Sequence, residues 1–277
     1  MTTSSHSDQA TRAERFRALH RAGTPLLMPN AWDVGSAALF ATLGFEALAT
    51  TSGGFAATHG RLDGGVTRDE VLAHSAELSR AVSVPVSADL ENCFADDPEG
   101  VAATITAAIG TGLAGGSVED FTRNPEKPIY ELSHAAERVA AAAEAAHGGL
   151  MPFVLTARAE NYLHGHRDLS DTIARLQAYQ EAGADVLFAP LVIDRDELRQ
   201  LLASVDRPVS VLVTPQAPPV GELADMGVSR ISVGSAVAVA AYGAAINAVN
   251  ELREQGTYSF WDLAGVAAPV IRNAFSR

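Results

Sequence analysis

The chain reads as a single α/β domain closed into a (β/α)8 barrel, and three observations predict this. Its 277 residues are too many for one small domain and ordinary for a barrel of that kind. Eight short apolar runs recur along it, and Ala/Leu-rich helical segments separate nearly all of them. The runs alternate in how they begin, four behind a proline and four behind a glycine. Strands alternating with helices imply parallel βαβ units, and eight such units imply closure. An open doubly wound sheet is the alternative, but no G-x-G-x-x-G follows the first run.

Residues from Met1 to about Gln9 are rich in Ser and Thr and are expected to be disordered. A helix should then run through Leu19 and close near Gly23. The Pro-led runs start at Pro25 (PLLMPNAW), Pro85 (PVSADLE), Pro152 (PFVLTARAE) and Pro208 (PVSVLVTP), where proline suits the first residue of a strand. The Gly-led runs start at Gly44 (GFEALATTS), Gly112 (GLAGGSVED), Gly183 (GADVLFAP) and Gly227 (GVSRISVGS). Each of these glycines ends a helical segment, where a left-handed C-cap belongs. A helix from Ser235 to Gln255 follows the eighth run. Residues from about 256 to 277 then form an amphipathic helical extension, in which Phe260 and Trp261 must bury against the barrel or a second subunit.

The net charge of -13 and a pI near 5.0 argue against nucleic acid or an anionic membrane as partner. An anionic substrate must therefore be met by a local arginine. Cys93 is the single cysteine, which rules out an internal disulfide and fits a reducing compartment. The first residues carry no apolar signal region, and the longest weakly polar run, Ala236 to Val249, is too short to span a bilayer. A soluble, cytoplasmic protein is expected.

Barrels of this kind carry their chemistry where strands end. The stretch from Val82 to Phe94 ends in acids, and strand alternation would put Ser87, Asp89 and Glu91 on one face. Two carboxylates so close repel unless a cation lies between them or one keeps its proton; acids simply facing water are the alternative. The next stave adds Glu119 and Asp120, which favours a hard divalent ion, since Mg²⁺ is held by one or two carboxylates plus water and substrate oxygens. Thr156, Arg158 and Glu160 should share a face, and Arg158 beside a metal could clamp a substrate carboxylate. Ser52, Gly53 and Gly54 could turn N–H groups toward an oxyanion, and Asp63 lies in the following loop. Other strand ends deliver Asn30, Asp33 and a Gly-Ser pair at Gly234 and Ser235 that could take a phosphate. The loop from Phe121 to His134 suits a lid, with Arg123, Asn124, Glu126 and Lys127 as its polar residues.

MPNAWD, TTSGG, GRLDGG, SADLEN, SVEDFT and TARAEN, in this order, resemble the isocitrate lyase / phosphoenolpyruvate mutase superfamily over roughly Thr24 to Arg253. The resemblance implies a Mg²⁺ site, or Mn²⁺ in its place, with Asp89 as principal ligand and Glu91, Glu119 and Asp63 holding the ion or its waters. It implies substrate contacts from Ser52, Gly53, Gly54 and Arg158, catalytic roles for Arg158, Glu119 and Asp63, and helix-swapped homo-oligomers. The chain departs from the family's C–C lyases in lacking a cysteine in the lid loop. Cys93 replaces a glycine usual after the acidic motif and reads as a small buried thiol. The expected activity is Mg²⁺-dependent cleavage of a C–C bond in a small 2-oxo or 2-hydroxy carboxylate through an enolate. P–C chemistry on a phosphonopyruvate-like acid and a non-catalytic carboxylate-binding barrel are the alternatives.

Overall fold

The computed structural model describes residues 3–276. Helix α1 (Thr3–Ala18) precedes a first stave divided into β1 (Leu26–Met28) and β2 (Asn30–Ala31). Then come α2 (Val34–Thr42), β3 (Leu48–Thr50), α3 (Ser52–Thr58), α4 (Arg68–Ala81), β4 (Val86–Ala88), α5 (Pro98–Ile109) and β5 (Gly115–Glu119). The alternation continues through α6 (Leu132–His147), β6 (Val154–Arg158), α7 (Leu169–Glu181), β7 (Val186–Phe188), α8 (Arg195–Ala203), β8 (Val209–Leu212), α9 (Val220–Met226) and β9 (Arg230–Ser232). Helices α10 (Ala236–Gln255) and α11 (Phe260–Phe275) follow.

All pairings in the sheet are parallel; β1 pairs with β9 while β2 pairs with β3, so the first stave joins both edges and closes the barrel. Pro29 divides that stave because it has no N–H to give a ladder. Asn30 spans the seam: its Oδ1 accepts from the Val233 and Gly234 N–H groups at 3.0 and 2.9 Å, and its Nδ2 donates to Thr50 O at 2.7 Å. Asn30 is thereby a structural tie. Asp33 is another, since it caps α2 in a reciprocal pair with Ser36.

Gly44, Gly112, Gly183 and Gly227 all have φ between +89° and +106°, as the left-handed C-caps read from the sequence require. The N-terminal expectation needs correction, because α1 is helical from Thr3; Met1 and Thr2 lie outside the described residues. Its order has a packing cause. Gln9 is buried and donates to the Ile109 and Leu113 carbonyls, while Ala13 and Phe16 pack with Leu26, Ala47, Ala114, Val154 and Val186 at the strand starts. Helix α1 thus closes the amino-terminal mouth of the barrel.

The C-terminal extension is helical as expected. Its end packs on α2, with Ala274 buried, but Trp261 is 68% exposed. In α10 only Ala238 is buried. No helix among the described residues is long and apolar enough to cross a membrane.

Candidate active site at the carboxyl rim

Strand alternation carries the acidic motif only as far as Ala88, where β4 stops. Beyond it Glu91, Cys93 and Phe94 all take left-handed backbone, with φ of 52°, 60° and 56°. Non-glycine residues rarely hold such angles, and a run of them is characteristic of functional sites. The turn aims Asp89 and Glu91 at the rim while burying Leu90 and the Cys93 thiol, which burial pushes up to about 12. Cys93 is the inert small thiol that the sequence suggested.

The rim is organised around Arg158, at the end of β6. Its Nη1 lies 3.1 Å from Asp89 Oδ1, its Nη2 3.2 Å from Glu119 Oε2 and its Nε 2.7 Å from Glu160 Oε1. The guanidinium also lies over the Phe188 ring, 5.2 Å from its centroid, in a cation–π contact. Ser52 N–H donates to Asp89 Oδ2 at 3.2 Å, and Glu91 N–H donates to Oδ1 at 3.2 Å. Across the rim Arg123, from the loop after β5, pairs with Glu91 and lies over Phe94.

Asp63, Glu91, Glu119 and Glu160 line one cavity with Arg123, Arg158 and His164, and Asp89 lines an adjoining one with Asp63 and Arg158. Carboxylates therefore outnumber guanidiniums at the rim. Burial raises Glu119 well above the usual carboxylate range, against the pull of Arg158, and it raises Glu160 and Glu91 as well. His164 stacks on Phe121 at 3.9 Å, and its Nε2 is 3.9 Å from Glu160 Oε2; burial lowers its pKa and favours the neutral ring.

Among the described residues no group of three or more Asp, Glu, His or Cys side chains is arranged to hold a metal ion unaided. Arg158 and Arg123 are interleaved among these acids. The donor set nevertheless fits a hard ion that draws most ligands from water and substrate. All its members are oxygens, they carry excess negative charge, and Glu91 Oε1 is buried without a hydrogen-bond partner.

Ser52, Asp63, Asp89, Glu91, Glu119 and Arg158 thus come together. Gly53 and Gly54 sit in the first turn of α3, behind the cavity wall. A Cβ on Gly53 would approach Ser235 Oγ to 2.8 Å and the Asp63 carboxylate to 3.2 Å, so close packing requires glycine there. Gly54 packs against Thr51 and Trp32, and its N–H faces Thr51 Oγ1 at 3.4 Å. Asp120 turns away from the rim to Tyr179 and Arg175. Sequence reasoning passed over His164 and Arg230, because an isolated His or Arg beyond the motifs carries no spacing signal.

A closed parallel barrel with an acid–arginine cluster at the carboxyl ends of its strands belongs to the class of barrels that work at that rim. The sequence narrows the class. The profile of the Phosphoenolpyruvate phosphomutase family matches residues 16–253, and the chain belongs to that family. A crystal structure from Burkholderia cenocepacia J2315, provisionally assigned as a lyase/mutase, is 51% identical, with a TM-score of 0.88 over 92% of each chain. The 2-methylisocitrate lyase of Escherichia coli (strain K12) is 30% identical over 72% of this chain and 69% of its own. The crystal structure of a 2,3-dimethylmalate lyase is 27% identical, with a TM-score of 0.80 over 90% of this chain and 89% of that one.

Proposed function

We propose that the protein is a Mg²⁺-dependent lyase that breaks a C–C bond of a small 2-oxo or 2-hydroxy carboxylate. The observation that carries the reading is the rim itself: acids in excess around Arg158, with one Glu91 oxygen left unpaired in a buried position. Relatives named for cleaving 2-methylisocitrate and 2,3-dimethylmalate support the substrate class.

Asp89 would hold the ion with help from Glu91, Glu119 and Asp63, and Mn²⁺ could take the place of Mg²⁺. Bound there, the ion would supply Lewis acidity toward the 2-oxygen and carboxylate of the substrate. Arg158 keeps a second N–H on each terminal nitrogen beyond its bonds to Asp89 and Glu119, and these can pair with the substrate carboxylate. The Ser52 N–H, now on Asp89, is placed to share its proton with an oxygen of the same acid. With a hydroxy acid, a rim carboxylate takes the hydroxyl proton as the C–C bond breaks and the carbonyl forms; with a 2-oxo acid, CO2 departs; in both, the electron pair left on carbon must be protonated. Burial favours the protonated form of Glu119 and Glu160, which makes them the candidates to deliver that proton, and His164 can relay it through Glu160. No thiol is needed in this scheme.

The reading also takes the protein to be a cytoplasmic homo-oligomer. Val239, Tyr242, Ile246 and Val249 on α10 and Trp261, Leu263 and Val266 on α11 are exposed apolar groups that a second copy would cover. A turnover screen with Mg²⁺ over oxaloacetate, 2-methylisocitrate, dimethylmalate, isocitrate and phosphonopyruvate tests the activity. Cleavage of one of the first four acids is expected. Turnover of phosphonopyruvate alone would replace the reading with P–C chemistry. Oxalate binding with every acid inert would leave a binding protein.

A further inference from the structure

The barrel interior beneath the rim departs from the usual filling. Inward positions of such barrels are dominated by Val, Ile and Leu in packed layers. Here Ser87, Ser117, Thr156 and Ser232 line the cavity. Small side chains leave a space of about 280 Å³ that extends from Asp89 and Arg158 to Arg230.

Arg230, at the start of β9, is 4% exposed. Its Nε donates to Ser210 Oγ at 2.9 Å and its Nη1 donates to Thr156 Oγ1 at 3.0 Å. The same Nη1 faces His20 Nε2 at 3.4 Å. His20 Nδ1 is 2.8 Å from Phe16 O, so it carries the proton there and leaves Nε2 as an acceptor. All these partners are neutral. Among the described residues Arg230 forms no ion pair, for the rim acids are taken up by Arg158 and Arg123. The charged group close enough to act on it is Arg158, of the same sign; burial and that neighbour push Arg230 down to about 9, still cationic at neutral pH.

A buried cation without a counter-charge is costly, and an anion bound beside it would relieve that cost. We propose that Arg230, steadied by Ser210 and joined by the Thr156 hydroxyl, forms a second anion-binding site inside the barrel, which takes a distal carboxylate of the substrate. Thr156 Oγ1 lines the cavity and accepts from the guanidinium, so its own O–H is free to donate to an anion. The proposal rests on the rim reading for the orientation of the bound acid and deepens it: the preferred substrate carries a second carboxylate, one end at Arg158 and the other at Arg230.

Calorimetric titration in the presence of Mg²⁺ tests this with oxalate, which is short enough to occupy the rim alone, and with malate and 2-hydroxyglutarate. Arg230→Met should weaken one of the longer acids by roughly tenfold or more, the loss of a charged hydrogen bond, while oxalate stays within about twofold. Arg230→Lys should recover part of the loss. A second arm needs no variant: wild-type protein should bind malate or 2-hydroxyglutarate roughly tenfold or more tightly than the corresponding acid with its distal carboxylate converted to an amide. Equal losses for oxalate and the longer acids, or no preference of the wild type for acid over amide, overturn the proposal while leaving the rim reading in place. If the wild type binds none of the probes, oxalate included, both fall.

Discussion

At the scale of single residues, Arg158 and Asp89 define different parts of the chemistry. Asp89→Ala should abolish Mg²⁺ binding in calorimetry and turnover together, with the circular dichroism spectrum unchanged. Arg158→Lys keeps the charge but not the planar fork that reaches three acids, so KM should rise roughly tenfold or more while Mg²⁺ affinity holds. Both residues were legible in the sequence because each closes an apolar run. Arg230 was not. Its meaning depends on what surrounds it across the barrel, and Thr156 and Ser210 are far from it in the chain. The same holds for His20, whose pKa burial lowers to about 3. A histidine held neutral in the fold contributes stability that is full above pH 6.5 and is lost as pH falls toward 3. Urea denaturation should show stability falling from pH 6.5 to pH 4, by on the order of 2 kcal/mol, and His20→Asn should flatten that slope.

At the scale of elements, the helices and strands followed the Pro/Gly rhythm, and the exceptions are physical. Sequence periodicity extends β4 through Glu91, but three left-handed residues replace the pleat, and nothing in an alternating pattern foretells them. The first helix starts earlier than its polar composition suggests, since Gln9 finds two buried carbonyls that no local signal announces. Gly53 and Gly54 also let α3 approach Asp63, Ser235 and Trp32, a packing role that the Ser-Gly-Gly pattern does not announce. Gly53→Ala should therefore displace Asp63 and Ser235 and reduce kcat, with a modest fall in melting temperature. Removing the α2 cap by Asp33→Ala should cost about 1 kcal/mol in chemical denaturation and leave KM unchanged.

At the scale of the whole molecule, closure of the barrel and the crowding of acids at one end were legible, because both follow from counting staves and reading where each ends. The arginines threaded among those acids were only partly so, since Arg123 reaches Glu91 from a loop whose path the sequence leaves open. The apolar faces of α10 and α11 give a further test. Ile246→Glu with Val266→Glu should shift the protein from oligomer to monomer in light scattering, if a second copy covers those faces.

The seam at Asn30 also has a consequence for how the chain is made. Its side chain waits for the Gly234 N–H, 204 residues downstream. At about 5–20 residues per second a ribosome takes tens of seconds to deliver that partner. Throughout that interval the newborn first stave has one flank bare, so its edge N–H and C=O groups stay open to mispairing until β9 emerges.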